Sequence, residues 1–274
     1  LSTGFEENVN PAAKFFKLSI TDPKIIDLFK KEKFDIVNHH AAQIDVRKSV
    51  SDPLFDANIN ILGTISLLQS CVNNSVKKII FASTGGAIYG EQEYFPADEA
   101  HPTSPISPYG ITKLTIEKYL YFYFLEHKLN YTILRYANVY GPRQNPFGEA
   151  GVVAIFANKL LNGEQPVING SGKQTRDYVF VEDVVKANLL TVKDEQCDIY
   201  NVGTAIETNV NAIYKILNDT IGKGQEEKHG PAAPGEQKRS VITSEKLYKK
   251  FNWKPAISIK EGLKKTVDYF GEII

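Results

Sequence analysis

Lys77 to Gly86 reads KKIIFASTGG, a short, apolar, β-rich run without alternation that ends in two hydroxyls and a glycine turn. A strand buried on both faces carries this pattern, because neither of its two sets of side chains meets water. Two other runs share the character: Phe34 to His40 (FDIVNHH) upstream and Tyr131 to Tyr136 (YTILRY) downstream. A further short strand is expected over Ala13 to Ile20. Helical periodicities separate these runs, each opened by a proline that suits a first helical turn. They cover Asp22-Pro23 through Lys31, Asp52-Pro53 to about Asn73, and Ser107-Pro108 through His127. Strands and helices in this rhythm make βαβ units with right-handed crossovers, which assemble a doubly wound parallel sheet. The fold class is α/β.

The regular pattern holds up to about Arg143. Beyond it the pieces shorten: a helix over Val152 to Leu161, a strand over Pro166 to Asn169, a glycine-rich turn, the run YVFVEDVVKANLL from Tyr178, and a strand over Ile199 to Val202. Two helices near the C-terminus are joined by Gly222 to Gly235, which reads as a surface loop. The expected organisation is a dinucleotide-binding domain over residues 1–143 and a smaller α/β substrate domain over 144–274, some of whose segments return to the first sheet.

At 274 residues, 42% hydrophobic and 23% charged, the chain can bury a sizeable core. Lys plus Arg and Asp plus Glu both total 32, so the formal net charge is zero. No global field then favours nucleic acid or an anionic membrane, and any phosphate binding has to be local. No apolar run approaches the roughly 20 residues that span a bilayer. Cys71 and Cys197 have no second cysteine or histidine at metal-ligand spacing. No metal site is expected, and both read as reduced thiols of a cytoplasmic protein.

The chemistry follows the buried strand. In Tyr109-Gly110-Ile111-Thr112-Lys113, a Tyr and a Lys stand four apart at the start of a helix and share one face. A cation beside a phenol lowers the phenol pKa from about 10 towards the working pH and makes it a usable general base. The same spacing also suits a packed Tyr beside a solvated Lys. Context separates the two, since ligands of a doubly wound sheet bind at the carboxyl ends of its strands, where Ser83 and Thr84 stand. A hydroxyl there can bond the oxygen that Tyr109 deprotonates; the plain alternative is a capped turn.

FASTGGAIYG (81–90), SPYGITK (107–113), LRYANVYGPRQ (134–144) and GKQTRDYVFVEDV (172–184), taken in order, resemble the extended short-chain dehydrogenase/reductases and, within them, the UDP-glucose 4-epimerase branch. The resemblance implies a Rossmann-like fold, NAD as cofactor and a UDP-hexose, UDP-galactose or UDP-glucose, as substrate. It implies that Tyr109 takes the proton from the sugar O4 while the C4 hydride passes to the nicotinamide. Thr84 would bond that oxygen and Lys113 would hold the ribose. The 4-keto sugar would then rotate and take the hydride back on its other face. Further cofactor contacts are implied for Ser19, Ile20, His40, Ala41, Ala42, Gln43, Asn60 and Tyr136, and further substrate contacts for Ser83, Asn138, Val167, Asn169, Arg176, Glu236 and Ser240. The small Ala41 and Ala42 allow close backbone approach, and the guanidinium fork of Arg176 suits a diphosphate. Read alone, Asn138 also suits a turn cap, Arg176 a surface pair with Asp177, and HHAAQ (39–43) core and loop. Family members pair the helices after Pro53 and Pro108 into a four-helix bundle, so a homodimer is expected.

The chain departs from the family in several places. The glycine fingerprint that cradles a pyrophosphate at the first helix is absent, and the expectation is that roughly 30 residues, one βα unit and a strand, precede Leu1. Ser19 stands where relatives carry an Asp near the adenine. Ala233 stands where they carry a phosphate-binding Arg, with Lys238 or Arg239 as candidate replacements. The small Ser240 admits UDP-N-acetylhexosamines as substrates. Gly85-Gly86 replaces the Asp-Glu pair of 4,6-dehydratases and the Glu of decarboxylases, which leaves these as alternatives behind the epimerase. A non-catalytic dinucleotide-binding relative is the alternative from a different class.

Overall fold

The structure is a computed structural model that describes residues 1, 3–147, 151–232 and 237–273. Its contacts divide the chain into two compact units. The first comprises Leu1–Ile88, Thr103–Arg135 and Asn188–Tyr200, and the second Tyr89–Pro102, Tyr136–Ala187 and Asn201–Ile274.

The first unit is built on a sheet in the order β1 (Ile36–His39), β2 (Lys78–Thr84), β3 (Asn130–Tyr136) and β7 (Asp198–Val202). β1 and β2 run parallel, with Val37 opposite Ile79 and His39 opposite Phe81. β2 is buried from Lys78 to Ser83, as its unbroken apolar run requires. Ile79 and Phe81 face a core made with Phe29 of α1 (Lys24–Glu32), Leu68 and Cys71 of α4 (Thr64–Asn73), and Ile116 and Leu120 of α5 (Pro108–His127). Side chains alternate along a strand, so Lys78 points to the opposite face. There its ammonium donates to the carbonyls of Thr191 and Asp194 at the end of α7 (Val181–Val192). Both faces are therefore covered, and the fold is α/β with a doubly wound, Rossmann-like parallel sheet.

The second unit has a sheet of its own, ordered β10 (Arg239–Ser240), β6 (Thr175–Phe180) and β4 (Asn138–Tyr140), with β8 (Glu207–Asn209) antiparallel on β6. A separate parallel pair joins β5 (Ile168–Asn169) to β9 (His229–Gly230). Its core gathers Tyr140, Tyr178 and Phe180 of the sheet with Phe156 of α6 (Val152–Leu161), Tyr214 of α8 (Val210–Ile221) and Phe270 of α10 (Ile259–Ile273). The short α9 (Glu245–Phe251) anchors through the buried Leu247.

Four expectations are corrected. Ala13 to Ile20 forms no strand, because its backbone groups have no neighbouring strand to pair with among the described residues. The helix expected over Pro53 to Asn73 is built in three pieces: α3 (Pro53–Ala57), a π-helical turn over Asn58–Gly63, and α4. Gly222 to Gly235 is not all loop, since His229 and Gly230 pair with Ile168 and Asn169. After β7 there are three helices, α8, α9 and α10, where two were expected.

A buried ion pair sits under the carboxyl end of β2. Arg135 of β3 meets Glu117 of α5 in a fork, Nε to Oε1 at 3.0 Å and Nη2 to Oε2 at 2.6 Å, and the Ser83 hydroxyl donates to Oε1 at 2.6 Å. Removing one partner strands the other charge in the interior. Arg135→Leu is therefore expected to lower stability by about 3–5 kcal/mol in urea unfolding, and Arg135→Leu with Glu117→Leu to recover much of the loss.

Candidate active site

The site of the first unit grows from the start of α5. Ser107 caps the helix by accepting from Gly110 N–H at 3.2 Å, and Pro108 occupies the first turn, where no amide donor is needed. The buried hydroxyl of Ser49, on α2 (Val46–Ser51), accepts from Tyr109 N–H at 3.2 Å. Gly110 allows the loop after β2 to lie against this turn: a Cβ there would stand 2.8 Å from the Ala87 carbonyl oxygen and 2.9 Å from Pro105 Cβ.

Lys113 is 4% exposed and its ammonium donates to the Ala82 carbonyl at 2.8 Å. Nζ lies 4.8 Å from the Phe81 ring centre and 5.9 Å from that of Tyr109. Burial pushes the ammonium down to about 8, against the opposing pull of Asp56 and Glu117. The Tyr109 phenol is held above its ordinary value, first by burial and then by the Asp56 carboxylate. In the protein's own field the phenol thus keeps its proton, although Lys113 stands beside it.

The two hydroxyls at the end of β2 have different partners. Thr84 Oγ1 accepts from Ala87 N–H at 3.2 Å, which closes the Gly85-Gly86 turn and leaves its own O–H to donate. Ser83 is 4% exposed and its O–H is committed to Glu117. The two side chains point to opposite faces of the strand.

The loop after β1 is gripped by the π-helical turn. Asn60, 3% exposed, accepts from Gln43 N–H at 2.8 Å through Oδ1 and donates to the Gln43 carbonyl at 3.0 Å through Nδ2. A π turn adds one residue to the helical circuit and turns that side chain inward. Asn60 thereby fixes the backbone that follows Ala41 and Ala42. His40 hydrogen-bonds Asn188 Oδ1 at 3.3 Å, while the buried His39 meets Thr64 Oγ1 at 2.9 Å. Ser19 closes a turn ahead of α1, its Oγ 2.8 Å from Thr21 Oγ1. Ile20 packs onto Gly63, where a Cβ would come within 2.9 Å of it. Ile20, His40 and Ala41 share the wall of a cavity of about 310 Å³ with apolar residues such as Leu28, Phe34 and Leu67.

In the second unit, Asn138 stands opposite Tyr178 and Ser240 opposite Arg176 in parallel register. Arg176 and Tyr178 are two apart on β6, so Asn138, Arg176 and Ser240 share one face of that sheet. Ser240 is 3% exposed. Asp177 faces away and is bound by the amides of Thr204, Ala205 and Ile242. Val167 is exposed and precedes β5, which carries Asn169 opposite Gly230. Tyr136 ends β3 and is half-buried. Glu236 and Ala233 lie outside the described residues. Arg239 is paired with Glu207 at 2.5 Å and stacked 3.7 Å from the centre of the Phe95 ring.

Two charged groups of this neighbourhood escaped sequence reasoning, Asp56 and Glu117. Both had a signal. Asp56 is four before Asn60, and Glu117 is four after Lys113 on the same helix, so each shares a helix face with a recognised residue.

A lysine donates three hydrogens, and among the described residues Ala82 O is the one protein acceptor of Lys113. The two remaining donors of a buried ammonium suit the paired hydroxyls of a ribose, and the chemistry of this donor set fits a nicotinamide dinucleotide. A Tyr and a buried Lys one turn apart, on a helix following a hydroxyl-tipped parallel strand, form the arrangement that the short-chain dehydrogenase/reductase resemblance implies. Residues 1–203 match the NAD dependent epimerase/dehydratase family, and the chain belongs to that family.

Among solved structures, it is 46% identical to a UDP-glucose 4-epimerase of Thermotoga maritima with UDP-glucose, at a TM-score of 0.97 over 100% of this chain and 89% of that one. It is 39% identical to the Thermus thermophilus UDP-glucose 4-epimerase complex with NAD, at a TM-score of 0.94 over 100% of this chain and 90% of that one. It is also 38% identical over 276 residues to a UDP-glucose 4-epimerase of Mycolicibacterium smegmatis, covering 98% of this chain and 88% of that protein.

The depressed Lys113 ammonium weighs on the fold. Below pH 8 the folded chain carries an ammonium it disfavours, so Lys113→Met should raise the urea midpoint; the bond lost at Ala82 is a smaller effect. Between pH 8 and the ordinary lysine value of 10.5, the folded lysine has lost its proton while the unfolded one keeps it. The advantage of the variant should shrink across that window and vanish above it, as urea titrations at several pH values will show.

Proposed function

We propose that this chain is an NAD-dependent UDP-hexose 4-epimerase that interconverts UDP-galactose and UDP-glucose through a transient 4-keto sugar. The observation that carries the reading is the Lys113 ammonium, buried beside Tyr109 with two donors to spare, at the end of a strand whose Thr84 is followed by Gly85-Gly86. A 4,6-dehydratase needs an acid and a base at the two positions those glycines occupy.

When bound, NAD supplies the ring carbon that takes up and returns the C4 hydride and, oxidised, a positive charge that favours the phenolate. Lys113 holds the ribose hydroxyls and adds its own charge beside the phenol. Tyr109 takes the proton from the sugar O4, and the O–H of Thr84, whose oxygen already accepts from Ala87, donates to that same O4. Tyr109 returns the proton once the keto sugar has presented its other face. Gly85 and Gly86 offer no competing acid at C5 or C6.

The cofactor is held in this reading by Ser19, Ile20, His40, Ala41, Ala42, Gln43, Asn60 and Tyr136, with Asn60 keeping the Gln43 backbone in place. Asn138 and Arg176 bind the diphosphate, and Val167 and Asn169 flank the uracil. Ser240 borders the sugar; its small side chain favours, as a second reading, acceptance of an N-acetyl group at C2.

The assembly in this reading is a homodimer. Leu54 of α3, Leu62 of the π turn, and Phe122 and Leu125 of α5 are each 50% exposed or more, and exposed apolar side chains on the helices that family members pair support that assembly. No helix of the described residues is long and apolar enough to cross a membrane, and we place the protein in the cytoplasm. Sedimentation should give twice the mass of the chain, and Phe122→Glu should give single copies.

The reaction itself is tested by incubating the full-length protein with NAD and UDP-galactose and following UDP-glucose. Tyr109→Phe should lower kcat at least about 100-fold while leaving NAD binding intact. Undiminished turnover in that variant would remove Tyr109 as the base, and absence of turnover with any UDP-hexose despite bound NAD would sink the epimerase reading.

A further inference from the structure

Asp56 takes no part in the reaction described above, yet it is wholly buried, at 0% exposure. Gln43 Nε2 and Asn60 Nδ2, which can only donate, reach Oδ1 at 2.9 and 3.0 Å, and the Thr112 hydroxyl, whose one proton the Tyr109 carbonyl at 2.9 Å also attracts, reaches Oδ2 at 3.0 Å. Two amide donors on one oxygen suit an acceptor-only carboxylate. The donors come from three parts of the site: the loop after β1, the π turn that grips that loop, and the first turn of α5 directly before Lys113. A neutral side chain of the same shape could tie these parts together. A buried carboxylate is far costlier to keep out of water, and what it adds is charge.

Of the other charged groups near the pair, Glu117 on α5 also acts on Lys113, but it is matched by Arg135 and Tyr109 feels Asp56 instead. At the end of β1, burial pushes His39 down to about 3, which keeps it neutral, and His40 is bonded to Asn188. Arg47 and Lys48 of α2 are exposed, and Lys78 lies on the far face of β2 with its own carbonyl partners. Asp56 has no ion-pair partner among the described residues, and its field acts on both Tyr109 and Lys113.

We propose that Asp56 is a positioning residue of this site: its carboxylate pins the first turn of α5 to the Gln43 loop and is the counter-charge that sets when Tyr109 and Lys113 exchange protons. The kinetic side of this inference rests on the epimerase reading; the titration side does not. The sign follows from the charge. A carboxylate opposes loss of the phenol proton and favours the ammonium, so both groups titrate higher with Asp56 than without it. Removing the charge moves the acid limb of kcat to lower pH, because the phenolate forms earlier. The alkaline limb moves the same way, because the ammonium is lost earlier.

The test compares wild type with Asp56→Asn, full-length in both cases. NMR of protein labelled with ζ-¹³C tyrosine, with Tyr109 assigned by its loss in Tyr109→Phe, follows the phenol directly, and pH profiles of kcat are taken with NAD and UDP-galactose. In Asp56→Asn the Tyr109 midpoint and both kinetic limbs should fall by at least about half a pH unit. Gln43→Lys, which sets an ammonium against the carboxylate, should lower the midpoint likewise and serves if Asp56→Asn does not fold. Thr112→Val, which keeps the charge and removes the bond to α5, should lower kcat on the order of tenfold with unmoved limbs. A Tyr109 midpoint unmoved in Asp56→Asn overturns the proposal whatever happens to kcat. If wild type turns over no UDP-hexose, the epimerase reading fails, and the titration still decides the role of Asp56.

Discussion

Lys113, 4% exposed, holds its ammonium at the end of β2, bonded to the Ala82 carbonyl and facing the rings of Phe81 and Tyr109. A charge in that position is disfavoured by desolvation, and the features around it are those that make it tolerable: a strand-end carbonyl, an aromatic face, and the fields of Asp56 and Glu117. The same features set what the site can do. An ammonium with one bond made and two donors left is ready for a hydroxylated partner, and a phenol that its surroundings keep protonated awaits a further positive charge. In the proposed reaction, binding and chemistry are coupled through electrostatics already present in the protein.

Such a charge cluster has to be held rigidly, and the first unit does this with small residues and caps. Gly110 lets the loop after Thr84 lie against α5, and Gly63 lets Ile20 lie against the π turn. Ser107 and Ser49 satisfy amides that the start of α5 leaves free. The fork between Glu117 and Arg135 takes up the Ser83 hydroxyl, so of the two strand-end hydroxyls Thr84 is the one with a proton left to give. The second unit repeats the principle without a titrating pair: buried Asp177 gathers the amides of Thr204, Ala205 and Ile242, and its neighbour Arg176 is carried to the other face beside Ser240.

Much of this was legible in the residues before any coordinates. The unbroken apolar run of β2, the Ser-Pro start of α5 and the Tyr-Lys spacing are local patterns, and local patterns survive into the fold when burial agrees with them. The bounds of α6, Val152–Leu161, coincide with its periodicity for this reason. Ala13 to Ile20 shows the converse. It has strand-like composition, but a strand is made by its neighbour. The π turn was illegible because its apolar spacing matches that of an ordinary helix. β9, two residues inside a polar loop, has no pattern long enough to read.

The sequence by itself determined the βαβ rhythm around β2 and α5, the Tyr-Lys spacing on that helix, and the family to which these motifs belong, because each depends on residues close together in the chain. Tertiary structure alone decided which of two adjacent hydroxyls keeps its proton available, which way the phenol and the ammonium are pushed, and that Asp56 belongs with them. Those outcomes depend on burial and on distances between groups as far apart in sequence as Gln43, Asp56 and Thr112. Desolvation and Coulomb fields act through space, and no spacing rule along the chain reports them.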